Sequence, residues 1–153
     1  MNRIVFSAVL LTWFAAALSF AASPAQPPLR VGIVGLVHGH VHGFLDQSLH
    51  SPEIVGVAEP DAHLLSQAAT RYGFDRGLLF ADLEDMIAKA HPQAVLVYTN
   101  TYDHRHVVEV CARHGVHVMM EKPLAVGLED ALAIEKAAST GKIHVLVNYD
   151  SPG

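Results

Sequence analysis

One cysteine, one tryptophan and ten basic side chains in 153 residues exclude a good deal. A lone thiol, Cys111, cannot form an internal disulfide, so the fold must be held by its core. With Val107, Val108 and Ala112 as neighbours it reads as a buried structural thiol rather than a nucleophile. Fifteen acids outweigh the ten basic groups and leave a net charge of −5. No stretch alternates basic with aromatic residues, and that balance argues against nucleic acid as a partner. Repeats and low-complexity runs are also missing.

Charge is absent altogether from one long run, Ile4 to Ala22 (IVFSAVLLTWFAAALSFAA), which follows Arg3 and ends in small residues. This layout predicts a secretory signal peptide over 1–22, cleaved near Ala21 or Ala22. Roughly 19 apolar residues would also just span a bilayer, so an uncleaved anchor is the alternative. Cleavage would give an exported protein, periplasmic or extracellular, with no membrane contact afterwards. The N-terminus has no Arg-Arg pair, so it lacks the mark of an export route that carries folded, cofactor-loaded proteins. Pro24, Pro27 and Pro28 make residues 23–29 a linker. The remaining length suits one domain, over 30–150.

From Arg30 onward, short β-branched runs alternate with amphipathic segments. RVGIVGL, EIVGVA, AVLVYT, GVHVMM and KIHVLVN read as strands that are apolar on both faces, and GLLF at 77–80 as a weaker one. Helical spacing joins Val41, Phe44, Leu45 and Leu49; Leu64, Leu65, Ala68 and Ala69; and Leu83, Met86 and Ile87. It also joins Val107, Val108 and Cys111, and then Leu128, Ala131, Leu132 and Ala138. Asp61, Asp82 and Asp103 mark helix starts, and Gly73, Gly115 and Gly141 mark stops. The alternation predicts a doubly wound α/β domain with a parallel sheet, whose ligands bind beyond the C-terminal strand ends. The loops that matter are therefore 35–40, 59–61, 98–104, 121–127 and 148–153.

Glycine is scarce where a nucleotide loop would use it. The first strand-helix turn reads Gly35-Leu36-Val37-His38-Gly39-His40, and a dinucleotide fingerprint would place glycine at 35, 37 and 40. Only Gly35 fits. A helix starting near Gly39 still offers free N–H groups to an anion, whereas the branched Val37 limits the approach of a pyrophosphate. A tight turn binding nothing is the plain alternative. His38, His40 and His42 invite a metal reading, but on a helix only 38 and 42 share a face. With no cysteine or acidic pair nearby in sequence, no metal is expected, and a histidine beside a phosphate or substrate oxygen is preferred.

Glu59 ends the second strand and could accept hydrogen bonds from both ribose hydroxyls while repelling a 2′-phosphate, which favours NAD over NADP. The alternative is a solvated strand-end acid. Thr99, Asn100 and His104 lie in or just beyond a polar strand-end loop suited to the nicotinamide side, with Asp103 as a helix cap. Glu121-Lys122-Pro123 ends the fifth strand, where proline keeps Lys122 extended at the crevice mouth. A lysine there could position a ribose or exchange a proton with a substrate hydroxyl; it could also be an ordinary surface lysine.

The segment HVVEVCARHGVHVMMEKPLAVGLEDA, together with VGIVGL and VGVAEPD, closely resembles the Gfo/Idh/MocA family of nicotinamide-dependent oxidoreductases, in register over about 30–150. The resemblance implies a Rossmann-like domain in which Lys122 is catalytic beside nicotinamide and substrate. It implies that Glu121, Thr99, Asn100 and His104 line the same crevice. Gly35, Val37, His38, Gly39, His40 and Glu59 would hold the dinucleotide, with Val37 and His40 as departures from the glycine pattern. The implied activity is NAD-dependent hydride transfer with a sugar or polyol-like small molecule. The alternatives are an exported glycosidase acting by transient oxidation and elimination, and a non-catalytic carbohydrate-binding or interaction protein. In that family a second α/β domain follows. On this reading residues 151–153 begin it, it would carry any homo-oligomer contact, and the chain alone would not turn over substrate.

Overall fold

The computed structural model describes residues 26–48 and 53–149. The apolar run at 4–22, the expected cleavage site, Leu49 and the segment 150–153 lie outside the described residues.

Six strands pair in parallel in the order β3-β2-β1-β4-β5-β6. They are β1 (Arg30–Val34), β2 (Glu53–Ala58), β3 (Leu79–Phe80), β4 (Ala94–Val97), β5 (His117–Glu121) and β6 (Val145–Asn148). Five helices connect them: α1 (His40–Ser48), α2 (Ala62–Tyr72), α3 (Leu83–Ala90), α4 (His104–His114) and α5 (Leu128–Gly141). The order reverses direction between β1 and β4, which opens a crevice beyond their carboxyl ends. The expected doubly wound fold is therefore present. The weak strand is shorter than predicted, because Arg76–Leu78 form a 3-10 turn before it.

Alternate strand residues feed two cores, as a sheet covered on both faces requires. Ile33, Val57 and Tyr98 pack with Val41 and Leu45 of α1 and Ala68 of α2. Val34, Val95, Val97 and Met120 pack with Met86 of α3, Val108 and Cys111 of α4 and Ile134 of α5. The β1–β2 register skips Val55, pairing Val31 with Ile54 but Gly32 with Gly56. That extra residue lets Val55 and Val57 face opposite cores. Gly32 and Gly56 together make the slot for the buried Met86, since a Cβ on either would come within 2.6 or 2.7 Å of its side chain.

The caps hold at Asp61 and Asp82, whose carboxylates accept the first-turn N–H groups of α2 and α3. Gly73 and Gly115 take the left-handed conformation after α2 and α4. Gly141 does not stop α5. The helix runs through it, and Lys142 takes the left-handed cap. The physical reason is packing: a Cβ at Gly141 would lie 2.5 Å from the Ala112 carbonyl oxygen, so this glycine lets α5 meet α4. The same contact sets the rotation of α5. Ile134 is buried, while Leu128 and Leu132 of the predicted apolar face are 75% and 55% exposed. Among the described residues, no helix is long and apolar enough to cross a membrane.

Candidate functional site

The turn after β1 is built around Gly35, which has φ +81°. Its N–H donates to the Ala58 carbonyl at 2.9 Å, and the next N–H, of Leu36, donates to Glu59 Oε2 at 2.8 Å. A Cβ at Gly35 would fall 2.6 Å from Thr99 Cγ2 and 2.7 Å from the Thr99 backbone nitrogen. Glycine here lets the first turn lie directly on the exit of β4. The His38 N–H then donates across the crevice to the Tyr98 carbonyl at 2.9 Å. Val37 sits at the loop tip, 61% exposed.

Glu59 is not the solvated acid its position at a strand end would allow. It is 3% exposed, and Oε1 accepts the Asp61 N–H at 2.9 Å while Oε2 accepts that of Leu36. Each oxygen keeps at most one further acceptor site. These two bonds tie the first turn to the start of α2.

On the β4 side, Asn100 rather than Asp103 does the capping. Asn100 Oδ1 accepts the Tyr102 N–H at 2.9 Å, and Asn100 Nδ2 donates to Asp103 Oδ2 at 2.6 Å. Asp103 makes no side-chain cap to α4, because its carboxylate is held by Asn100. The Thr99 hydroxyl donates to the Asn100 carbonyl at 3.0 Å.

At the end of β5, Glu121 is 2% exposed and Lys122 is exposed, the next peptide to Pro123 being cis. Glu121 Oε1 accepts from Asn148 Nδ2 at 3.0 Å and lies 3.1 Å from His40 Nδ1. Burial raises the Glu121 carboxyl's pKa, but the Asn148 and His40 contacts and the charges of His40 and His38 outweigh it. The net effect holds the carboxyl below its ordinary range. Glu121 Oε2 is buried with no hydrogen-bond partner among the described residues.

The three histidines divide differently from the helical expectation. His42 turns away to the Tyr72 hydroxyl, 2.8 Å from its Nδ1. His38 and His40 stay together with ring centroids 4.6 Å apart, because His38 precedes α1 and helical spacing does not govern it. Two further residues complete this corner; each opens a loop expected to matter, at 98–104 and at 148–153, but neither is singled out by the sequence. Tyr98 is 8% exposed, and burial followed by the Glu121 charge pushes its hydroxyl up to about 12. Asn148 pairs in register with Glu121 across β5 and β6. Its one signal was a polar residue ending the last apolar strand.

His104 is 1% exposed and packs beneath the loop rather than on its surface. Its Nδ1 lies 3.3 Å from the Leu124 carbonyl, so it holds the loop after Lys122 in place. Burial lowers its pKa from 6.5, against the raising effects of the Leu124 and Pro123 carbonyls and the charges of Asp103 and Glu121. Lowered folded-state proton affinity means that the unfolded chain binds the proton first as pH falls. Stability is then full above about pH 6.5 and declines below it, by at most about 1.4 kcal/mol per pH unit, down to the folded-state value. Urea midpoints measured from pH 7 to 5 should fall more steeply in the native sequence than in His104→Gln.

Gly35, Val37, Glu59, Thr99 and Asn100 line a crevice of about 350 Å³, whereas His40, Tyr98, Glu121 and Asn148 line a separate one, and Lys122 and His104 line neither. The Val37 and Gly39 N–H groups have no acceptor among the described residues, and a Cβ at Gly39 would meet open space. Free donors at a helix start beside a glycine turn fit a dinucleotide's pyrophosphate. Val37 narrows that fit without closing it.

Comparison with known proteins agrees with this geometry. Residues 29–149 match the model of an oxidoreductase family with an NAD-binding Rossmann fold, GFO_IDH_MocA. The chain belongs to the Gfo/Idh/MocA family. The domain described here is that family's NAD-binding Rossmann domain. It is 32% identical over 128 residues to inositol 2-dehydrogenase of Burkholderia cenocepacia, covering 81% of this chain and 37% of that protein. It is 29% identical over 109 residues to D-apiose dehydrogenase of Paraburkholderia graminis, covering 71% of this chain and 28% of the relative. Among solved structures, a WlbA dehydrogenase from Chromobacterium violaceum in complex with NADH and UDP-GlcNAcA superposes with a TM-score of 0.71 at 31% identity. That match covers 81% of this chain and 36% of the other. The chain thus spans between 28% and 37% of the length of these relatives.

Proposed function

We propose that this domain serves an NAD-dependent oxidoreductase that moves a hydride between the nicotinamide and a carbon of a sugar or polyol-like substrate. The observation that carries the reading is the crevice at the carboxyl ends of the parallel strands, lined by the Gly35 turn, Glu59, Thr99 and Asn100, with Glu121 ending the neighbouring β5 and Lys122 following it. The inositol and D-apiose dehydrogenases among its relatives support the substrate class. Nicotinamide, when bound, accepts or returns the hydride. The chain's own groups do the rest. The Val37 and Gly39 N–H groups and the α1 terminus meet the pyrophosphate, Glu59 holds the turn, and Lys122 exchanges the proton of the reacting hydroxyl.

The test is NADH formation by the full-length protein supplied with NAD+ and a panel of inositols and free sugars. Sugar release from a glycoside without net NADH would move the reading to a glycosidase, and failure to bind nucleotide would make the protein non-catalytic. A second outcome concerns the cofactor's phosphate. A 2′-phosphate at the end of β2 meets the carboxylates of both Glu59 and Asp61. NAD+ is therefore expected to bind at least about tenfold more tightly than NADP+, or about 1.4 kcal/mol. Equal affinities in a titration would remove those acids from the ribose site.

A further inference from the structure

His38, His40 and Glu121 form a compact cluster of possible metal ligands. One ligand atom from each of the three side chains lies within 4.8 Å of the other two. Their burial is graded: His40 is exposed, His38 half-buried and Glu121 buried. Glu121 Oε1 already has Asn148 and His40 as partners. Oε2 has none among the described residues and is shut off from water. A buried carboxylate oxygen without a partner is costly, and a cation is the partner that best offsets it.

A protonated His40 accounts for one oxygen and leaves the other as it is. The second imidazole stands 4.6 Å from the first, its Nδ1 accepting the His40 N–H at 3.4 Å, and two protonated rings at that distance would repel each other. We propose that His38, His40 and Glu121 form a site for one divalent first-row metal ion of the zinc class. Two imidazoles and one carboxylate suit zinc and its neighbours, whereas magnesium and calcium prefer oxygen alone.

Ligand atoms around tetrahedral zinc stand about 3.3 Å apart, given bonds of about 2.0–2.1 Å. The His40–Glu121 pair is already at 3.1 Å. The widest separation must close by rotation of the less buried rings. Asn148, which donates to Oε1, would orient the carboxylate from behind, as outer-shell partners of metal ligands do. Three protein ligands leave a fourth position open, the pattern of catalytic rather than structural zinc. An oxygen ligand, such as a hydroxyl or carbonyl, would suit that fourth position. The site goes beyond the proposed NAD chemistry and does not rest on it.

Calorimetric titration of the chelator-treated full chain with Zn²⁺ alone tests the site without cofactor or turnover. One equivalent should bind, and it should raise the melting temperature. His38→Gln combined with His40→Gln should weaken binding by at least about 100-fold. Glu121→Gln should also weaken it. His42→Gln should bind like the native chain, because His42 is committed to Tyr72. A rival pair, His117 and His144, has ring centroids 5.0 Å apart at the opposite end of the sheet. Loss of zinc in His117→Gln rather than in the His38/His40 double variant would overturn the proposal. So would no binding by the native chain, or equal binding by the double variant and the native chain. Cobalt substitution gives an independent readout, since tetrahedral coordination produces strong visible absorption that the double variant should lack.

Discussion

Gly35→Ala is expected to lower the melting temperature of the domain by about 10 °C or more. Two costs add at this position. The first is conformational. Gly35 has φ +81°, and a side chain there meets the carbonyl crowding of the left-handed region, at about 1–2 kcal/mol. The second is steric. The new Cβ would lie 2.7 Å from the Thr99 nitrogen and 2.9 Å from its Cα. Those are backbone atoms at the exit of β4, so no rotamer change removes the overlap, and overpacking of this kind costs about 1–3 kcal/mol. Relief requires β1 and β4 to part at the crevice, which would break the His38–Tyr98 and Tyr98–Val34 backbone bonds that close it. At several degrees per kcal/mol, the sum gives the stated shift. Gly39→Ala is the internal comparison. Its Cβ meets nothing within 4 Å and no positive φ is involved, so its melting temperature should change little. Equal shifts in the two variants, read by differential scanning calorimetry, would show that the close approach at Gly35 is not what holds this turn.

The sheet was legible because its signal is local and repeated. Runs such as AVLVYT and GVHVMM carry apolar residues on both faces, the pattern of a doubly covered strand. Capping was equally local at Asp61 and Asp82. What the sequence hid depends on partners far along the chain. Gly141 looks like a stop signal because glycine so often ends helices, yet its role here is contact with Ala112. Asp103 looks like a cap, but a residue three places earlier takes its carboxylate. Glu59 reads from the sequence as a ribose acceptor or a solvated acid, and its burial shows only once the first turn folds over it. The histidines show the limit most clearly. Helical periodicity pairs His38 with His42, but that rule holds only inside a helix, and α1 starts at His40. The grouping with Glu121 needs β5, which stands beyond β4 in the sheet and some 80 residues later in the chain. No spacing rule reaches that far.

Lys122→Ala should lower turnover of the full-length protein by about 10²-fold, the usual loss when a positioned proton-transfer group is removed. Three features place the lysine for such a role. Glu121, immediately before it, is anchored in the sheet by Asn148 and His40. Pro123, immediately after it, denies the chain a helical continuation. His104 then holds the loop from below through the Leu124 carbonyl. The backbone that carries the exposed amine is thus fixed before a substrate hydroxyl meets it, and only the four-carbon stem remains to be ordered. The predicted effect is selective. With Lys122 acting on the reacting hydroxyl as proposed, kcat should fall by about 10²-fold, equivalent to about 2.7 kcal/mol of barrier. NAD+ affinity, carried mainly by the first turn, should change far less. Lys122→Arg separates chemistry from charge: arginine keeps the positive group but does not give up a proton near neutral pH, so it should not restore turnover. Full rescue by arginine would assign Lys122 an electrostatic role in holding substrate. Unchanged kcat in the alanine variant would make it a surface lysine, and the proton transfer would then have to come from elsewhere in the full-length protein.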